Sequence, residues 1–343
     1  MGIRFPEPLR PGDRIGVTSP SSGVGERFQP RFDFVLADLR RRGYDVVVGE
    51  CMDGSGILSA PAEQRAAELT AMLTDPSIRA VVPPWGGELA TDLLLSLDFA
   101  KIAEADPAWL VGYSDVSTLL LALTTRTGVA TLHGQNLMYT PMRRPPGVLH
   151  WLEAASAGPG AVLEQRASTH HKGPGFYNII EYPEMIEPDL DRSGSWRLLD
   201  PGAGPVRVNG RLIGGCLETV VGLAGTPFGD VAAFAENFAP EGLIVYVEVG
   251  GHGAADVGRE LMGLRLAGWF DRANAILVGR TRAPATGSFT QDDAVRFAFG
   301  DLDIPVILDV DCGHVAPELA LVNGGLAEVV VDGLNQLIVQ TLG

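Results

Sequence analysis

The feature that most restricts this chain is an alternation, through its first half, of short β-rich runs with segments of helical periodicity. Residues 14–19 (RIGVTS) read as a strand broken by Pro20-Ser21-Ser22-Gly23. Phe28, Phe32, Val35, Leu36 and Leu39 then recur at helical spacing, Arg40 to Arg42 place cations near the C-terminus, and Gly43 can take a left-handed cap. Further strands are expected at 45–48, 78–82 and 109–111, and helices at 61–73 and 116–127. Strands joined through helices imply a parallel sheet covered on both faces, hence an α/β fold.

Between about residues 145 and 204 the periodicity lapses into Pro, Gly, His and acidic residues, with one short helix suggested near Trp151. Such a stretch reads as a linker or a long functional loop. Regular structure resumes at Gly210, with strands at 243–247, 275–278 and 306–310, helical patterns between them, and a β tail at 327–331 and 336–339. A chain of 343 residues, 46% of them hydrophobic, exceeds the usual size of one core. The expected division is an α/β domain over 1–145, a linker and substrate loop over 146–204, and a second domain of mixed sheet over 205–343.

Charge and composition exclude several partners. A formal net charge of -16 repels phosphate backbones, and no local basic patch offsets it, so nucleic acid is not expected as a partner. No stretch approaches the roughly 20 uninterrupted apolar residues of a membrane span. The opening MGIRFPEPLRPGDRIGV lacks the apolar run of a signal peptide. Cys51, Cys216 and Cys312 are few, odd in number and far apart, which suits buried thiols in a reducing compartment. The expectation is a soluble, cytoplasmic protein with no membrane partner.

The sharpest local signal is LVGYSDVS, residues 110–117, where an apolar strand meets a helix through a tight turn carrying Ser114. Such an elbow exposes the hydroxyl at the strand's carboxyl end, and the following N–H, from Asp115, can stabilise an oxyanion at a helix N-terminus. Val116 replaces the final glycine of the hydrolase consensus, and from this motif alone an ordinary N-cap at Ser114 or Asp115 is the commoner reading. VVPPWGG, residues 81–87, is a second strand ending in a turn at the same sheet edge. Gly86 or Gly87 there can offer another oxyanion donor or simply reverse the chain. Glu248 closes the strand LIVYVE, and His314 follows VILDV through Asp311-Cys312-Gly313. A neutral imidazole can take a serine proton while a carboxylate holds its other nitrogen. Spacing alone does not join the three, and singly each has a commoner structural explanation.

Two patterns point elsewhere only weakly. Gly250-Gly251-His252-Gly253 precedes a helix as a dinucleotide turn does, but Asp256 occupies the position of the third glycine, so no nucleotide cofactor is expected. Asp309, Asp311, Cys312 and His314 lack zinc spacing, and no metal is expected. His170-His171-Lys172 reads as a solvated loop.

Taken in order, PGDRIGVTSPSS, the WGG turn, GYSDVSTLLLAL, GRLIGGCLETVVGLAGTPF, IVYVEVGG, ILVGRTRA and ILDVDCGHVAPELALVNGG resemble the LD-carboxypeptidase family of serine peptidases, especially its microcin C immunity branch. The resemblance covers most of the chain. It implies a Ser-Glu-His triad of Ser114, Glu248 and His314, with oxyanion donors from the backbone of Asp115 and of Gly86-Gly87. It also implies a flavodoxin-like or amidotransferase-like N-terminal domain, a C-terminal domain with a swivelling β/β/α or barrel-like sheet, and a homodimer.

For substrate, the resemblance implies a small peptidyl- or aminoacyl-nucleotide whose amide is cut in antibiotic self-immunity or detoxification. Removal of the terminal D-alanine of murein tetrapeptides is the alternative within the family, and a noncatalytic ligand-binding protein the alternative outside it. Trp196, in the long segment 176–199, resembles a loop tryptophan that stacks on a nucleobase, a contact worth roughly 1–3 kcal/mol; packing the loop onto the protein body is the other reading. Trp85 in the glycine turn joins the expected substrate-binding set. Cys216 and His252 complete it, standing where the branch has Asn and Lys, which puts recognition of the same acyl or phosphate group in question.

Overall fold

In the computed structural model, which describes residues 2–343, Phe32, Val35, Leu36 and Leu39 form the buried stripe of helix α1 (Gln29–Arg41). The chain leaves it through Gly43, whose φ of 93° is the left-handed conformation of a helix cap. Five parallel strands build the first sheet: β1 (Arg14–Val17), β2 (Asp45–Val48), β3 (Ile78–Val81), β4 (Trp109–Gly112) and β5 (Thr131–His133), in the order β2-β1-β3-β4-β5. Helices α2 (Ala62–Thr74), α3 (Phe99–Glu104) and α4 (Ser117–Thr127) lie in the crossovers. α4 starts one residue later than the apolar pattern predicts, because Ser114–Val116 form a 3-10 turn first.

The stretch without periodicity carries more regular structure than its pattern implied. Beyond α5 (Trp151–Ala155) it contains β6 (Val162–Arg166), β7 (His170–His171), β8 (Arg192–Ser193) and β9 (Arg197–Leu198). β10 (Val206–Cys216) follows, beginning four residues before Gly210. Then come α6 (Leu217–Val220), α7 (Val231–Phe238), β11 (Leu243–Glu248), α8 (Ala254–Leu266), β12 (Ala273–Gly279), α9 (Gln291–Phe299), β13 (Val306–Val310), β14 (Leu321–Asn323), β15 (Leu326–Asp332) and β16 (Asn335–Thr341). The second sheet runs β6-β16-β15-β10-β11-β12-β13-β9, with β10 to β13 parallel and the flanking pairs antiparallel. Its two edges therefore come from the stretch that reads as loop. β14 does not join it; it returns to the first sheet and pairs antiparallel with β5.

Helix α4 lies between the two halves, which explains why it is apolar nearly all round: every residue from Ser117 to Thr124 is buried. Its leucines share one cluster with Val81 and Leu110 of the first sheet and Ile213 and Val245 of the second. Fully burying each such side chain contributes about 1.5–3 kcal/mol. Ser117 Oγ accepts from the Cys216 N–H at 3.0 Å, and a Cβ on Gly215 would come within 2.7 Å of Ser117 Cβ. The halves thus meet in close contact just behind the ends of β4 and β10. Among the described residues no helix is long and apolar enough to cross a membrane.

Candidate active site

Ser114 stands where β4 passes into the 3-10 turn, with φ 62°. A residue other than glycine pays on the order of 1–3 kcal/mol for such a conformation, so its surroundings must hold it there. Asn136 clamps the preceding residue, accepting from the Tyr113 N–H at 3.2 Å and donating to its carbonyl at 3.4 Å. The Asp115 carboxylate, fully buried, accepts from Ser21 Oγ at 2.6 Å and from the Ala90 N–H at 2.8 Å. Burial pushes its pKa above the ordinary value, with those two hydrogen bonds pulling the other way. The loops that leave β1 and β3 are tied to the elbow through this one side chain.

Gly86 backs directly onto the serine. A Cβ there would lie 2.9 Å from Ser114 Oγ and 3.0 Å from the Asp115 nitrogen, so the absence of a side chain leaves open a small volume beside a hydroxyl and a backbone nitrogen. In serine hydrolases generally, an oxyanion is received in a volume of this kind. Gly87 has φ 146°, and a Cβ on it would run into Ser21 Oγ at 2.2 Å.

From the second sheet, Glu248 ends β11 and is fully buried. Gly313, at φ 94°, carries the chain over that carboxylate so closely that a Cβ would fall 2.2 Å from Oε2. The next residue, His314, has Nδ1 2.8 Å from Glu248 Oε2 and Nε2 3.0 Å from Ser114 Oγ. With Nδ1–H donating to the carboxylate, Nε2 is free to accept the hydroxyl proton. Burial alone would lower the histidine's pKa and raise the glutamate's. Their mutual attraction and hydrogen bond outweigh it, assisted at His314 by Glu218 and Glu318, so the imidazole lies above its ordinary value and Glu248 below.

Cys216 and His252 sit around this pair without facing an open cleft together. Cys216 is buried and its thiol donates to Glu218 Oε2 at 3.2 Å; burial first, then Glu248 and Glu218, hold the thiol well above its ordinary pKa. Glu218 also accepts from the N–H groups of Gly250, Gly251 and His252 at 2.9, 2.7 and 2.7 Å. The turn that looks like a dinucleotide site thus has an internal carboxylate where a pyrophosphate would lie. The His252 ring turns outward to Glu260, 2.6 Å from Oε1. Atoms of Cys216, Glu248 and His314 lie within 4.8 Å of one another, as metal ligands can, but the His314–Glu248 hydrogen bond and the protonated thiol already engage them.

The structure differs from a reading of the sequence at two positions, the first being the base-stacking alternative for Trp196. Trp196 is 2% exposed and packs in the core of the second sheet, its Nε1 donating to Asp311 Oδ2 at 2.9 Å. Pairing of β9 with β13 draws the adjoining residue onto that sheet, so Trp196 anchors the segment and presents no face to a base. Asp311 in turn pairs with Arg280 at 3.2 Å, and Asp309 with Arg197 at 2.5 Å. The second departure is His170-His171-Lys172: the histidines form β7 against β8, and Lys172 is buried.

Lys172, Arg282, Tyr177 and Glu318 line a pocket with Tyr113 and His314, beside the imidazole. Trp85 is half-buried nearby, edge-on to Phe28 and Tyr139 at 5.1 and 6.2 Å between ring centres. The sequence reading missed Ser21, Asn136, Lys172, Glu218 and Arg282. Asn136 and Glu218, each lying just beyond a strand end, were open to the same reasoning that singled out His314.

The N-terminal domain of the LD-carboxypeptidase family matches residues 15–134, and its C-terminal domain residues 209–329. This chain belongs to that peptidase family. It is 28% identical over 324 residues to a putative carboxypeptidase of Vibrio cholerae, spanning 92% of this chain and 91% of that one. To the microcin C7 self-immunity protein MccF of Escherichia coli it is 27% identical over 346 residues, spanning 96% and 93%. A solved structure of MccF in complex with glutamyl sulfamoyl guanosine shares the fold, with a TM-score of 0.79 at 23% identity over 98% of both chains.

Proposed function

We propose that this protein is a serine-type carboxypeptidase that hydrolyses the amide of a peptidyl- or aminoacyl-nucleotide. The observation that carries the chemistry is the continuous array Ser114 Oγ, His314 Nε2, His314 Nδ1 and Glu248 Oε2, with contacts of 3.0 and 2.8 Å. Ser114 Oγ attacks the acyl carbon as His314 Nε2 removes its proton, and Glu248 stabilises the imidazolium. Charge develops on the carbonyl oxygen in the volume beside Gly86, where the Asp115 N–H receives it. The imidazolium then protonates the leaving nitrogen and the C–N bond breaks. Water, deprotonated by the same imidazole, cleaves the acyl-serine ester and restores the hydroxyl.

Support for a nucleotide substrate comes from likeness to MccF across nearly the whole of both chains. With Trp196 in the core, Phe176, 82% exposed at the rim of the pocket, is the side chain available to a flat base. Membership of the LD-carboxypeptidase family favours a second reading, release of D-alanine from murein tetrapeptides.

The test is mass spectrometry of products from an aminoacyl-adenylate amide and a murein tetrapeptide, with Ser114→Ala as control. Release of the nucleotide moiety supports the proposal, and release of D-alanine alone transfers it to the second reading. Failure to cut either substrate, with Ser114 unlabelled by a fluorophosphonate, sinks the hydrolase reading and leaves ligand binding.

A further inference from the structure

Cys216 and Glu248 stand side by side because β10 and β11 run parallel with those two residues in register at their carboxyl ends. The turn after β13 then brings His314 onto the same carboxylate. Three positions far apart in the chain thus place a thiol, a carboxylate oxygen and a ring nitrogen within 4.8 Å of one another. These are the donor types that zinc takes, and a site with three protein ligands keeps a fourth position open. Zinc–ligand bonds of roughly 2.0–2.3 Å set tetrahedral donors about 3.5 Å apart, so side-chain shifts on the order of an ångström complete the geometry.

A second observation points the same way. Glu248 is fully buried and bonds His314 through Oε2, while Oε1 has no hydrogen-bond partner among the described residues. An ionised carboxylate with one oxygen bare in the protein interior is costly. Cys216, 2% exposed, does not relieve it through its proton, which goes to Glu218 Oε2 at 3.2 Å. A divalent cation held by a thiolate and a carboxylate leaves no net charge to bury.

We propose that Cys216, Glu248 and His314 form an inhibitory site for a thiophilic divalent cation of the zinc class. The cation takes Cys216 Sγ, a carboxylate oxygen of Glu248 and His314 Nδ1. The thiol proton leaves to solvent, because a metal deprotonates the sulfur it binds. The imidazole proton moves from Nδ1 to Nε2, giving the other neutral tautomer. Nε2 then donates where it had accepted, so Ser114 Oγ, 3.0 Å away, loses its proton acceptor. Hard cations such as Mg2+, which take oxygen donors and keep their water, do not displace these protons. His314, with 21% of its side chain exposed, is the part of the cluster open to the cleft. The inference rests on the triad reading for its consequence, whereas the binding itself needs no catalysis.

Two readouts on the full-length protein test it. The rate of fluorophosphonate labelling of Ser114 is followed with zinc or magnesium chloride present, and Co2+ is titrated in as a coloured stand-in for zinc. Saturating Zn2+ should slow labelling about a hundredfold, as loss of a general base does. EDTA should restore the rate, and Mg2+ at the same concentration should leave it unchanged. Co2+ should give a thiolate-to-metal charge-transfer band in the near ultraviolet, both in the parent and in Ser114→Ala, which keeps all three ligands. Cys216→Ser should lose that band and need about a hundredfold more Zn2+ to slow labelling, since loss of even an outer-shell partner costs about 10–100-fold in affinity. His314→Gln, which keeps every thiol, is the second variant and should weaken Co2+ binding by a similar factor.

Absence of the band in the parent, its survival in Cys216→Ser, or undiminished Co2+ binding by His314→Gln overturns the site while leaving the hydrolase reading intact. Zn2+ that slows labelling of parent and Cys216→Ser alike overturns it too. If Ser114 of the parent is not labelled in the absence of metal, the hydrolase reading fails and the Co2+ band alone decides the site.

Discussion

The two sheets hold their parts of the site by different means. On the first, shape does the work: Ser114 is forced to φ 62°, clamped through Tyr113 by Asn136, and backed by a glycine at contact distance. On the second, charge does it: His314 is oriented by a fully buried carboxylate, and a second carboxylate, Glu218, ties down the loop that follows β11. Damage on the first side should therefore change how fast the reaction runs, and damage on the second should also change the pH at which it runs.

The largest expected effect tests the strained side. Ser114→Gly should abolish hydrolysis, a loss of about a millionfold, while stabilising the fold by about 1 kcal/mol because glycine adopts φ 62° freely. Turnover assays and thermal melting check both halves; a lower melting temperature would break the claim that shape imposes strain here. Glu248→Gln should lower kcat/KM by about ten-thousandfold. The base must be neutral to act, and Glu248 raises its pKa, so the parent loses activity as pH falls through a value above histidine's ordinary one. Without that charge the acidic limb should move to lower pH, which a kcat/KM profile reads directly.

Gly86→Ala sharpens the contrast, since the atoms nearest its methyl group would be Ser114 Cβ and Oγ and the Asp115 nitrogen, all on the first side. A loss of about a hundredfold to a thousandfold is expected, with the acidic limb unmoved; a shifted limb would erase the distinction between the two sides. The smallest effect on rate belongs to Trp196→Phe. Loss of the Nε1 bond to Asp311 should cost about 1–3 kcal/mol of stability, with kcat/KM near that of the parent. A raised KM for a nucleotide substrate alone would return Trp196 to a role in base contact.

What could be read from the sequence follows the range of the interactions involved. The serine elbow and the Gly86 turn are each contiguous in the chain, so strand, turn and helix signals coincide within a few residues. Helix α1 and its glycine cap are legible for the same reason. By contrast, β6 and β9 are short edge strands defined by their neighbours β16 and β13, and no local alternation announces them. The choice between the two readings of Trp196 and the burial of Lys172 are not local either. An aromatic or a cation in a polar segment carries no mark of whether folding will bury it, and here β13 and Tyr177 decide.

The route of β14 has a further consequence. The flank of the first sheet at β5 is covered, among the described residues, by β14 (residues 321–323), which follows His314 in the chain. During synthesis on the ribosome the sheet that carries Ser114 must wait with that flank unpaired until the segment carrying His314 has also emerged. A chain that stops short of residue 314 therefore carries Ser114 without the imidazole that the proposed mechanism requires, and on that mechanism it should not hydrolyse substrate.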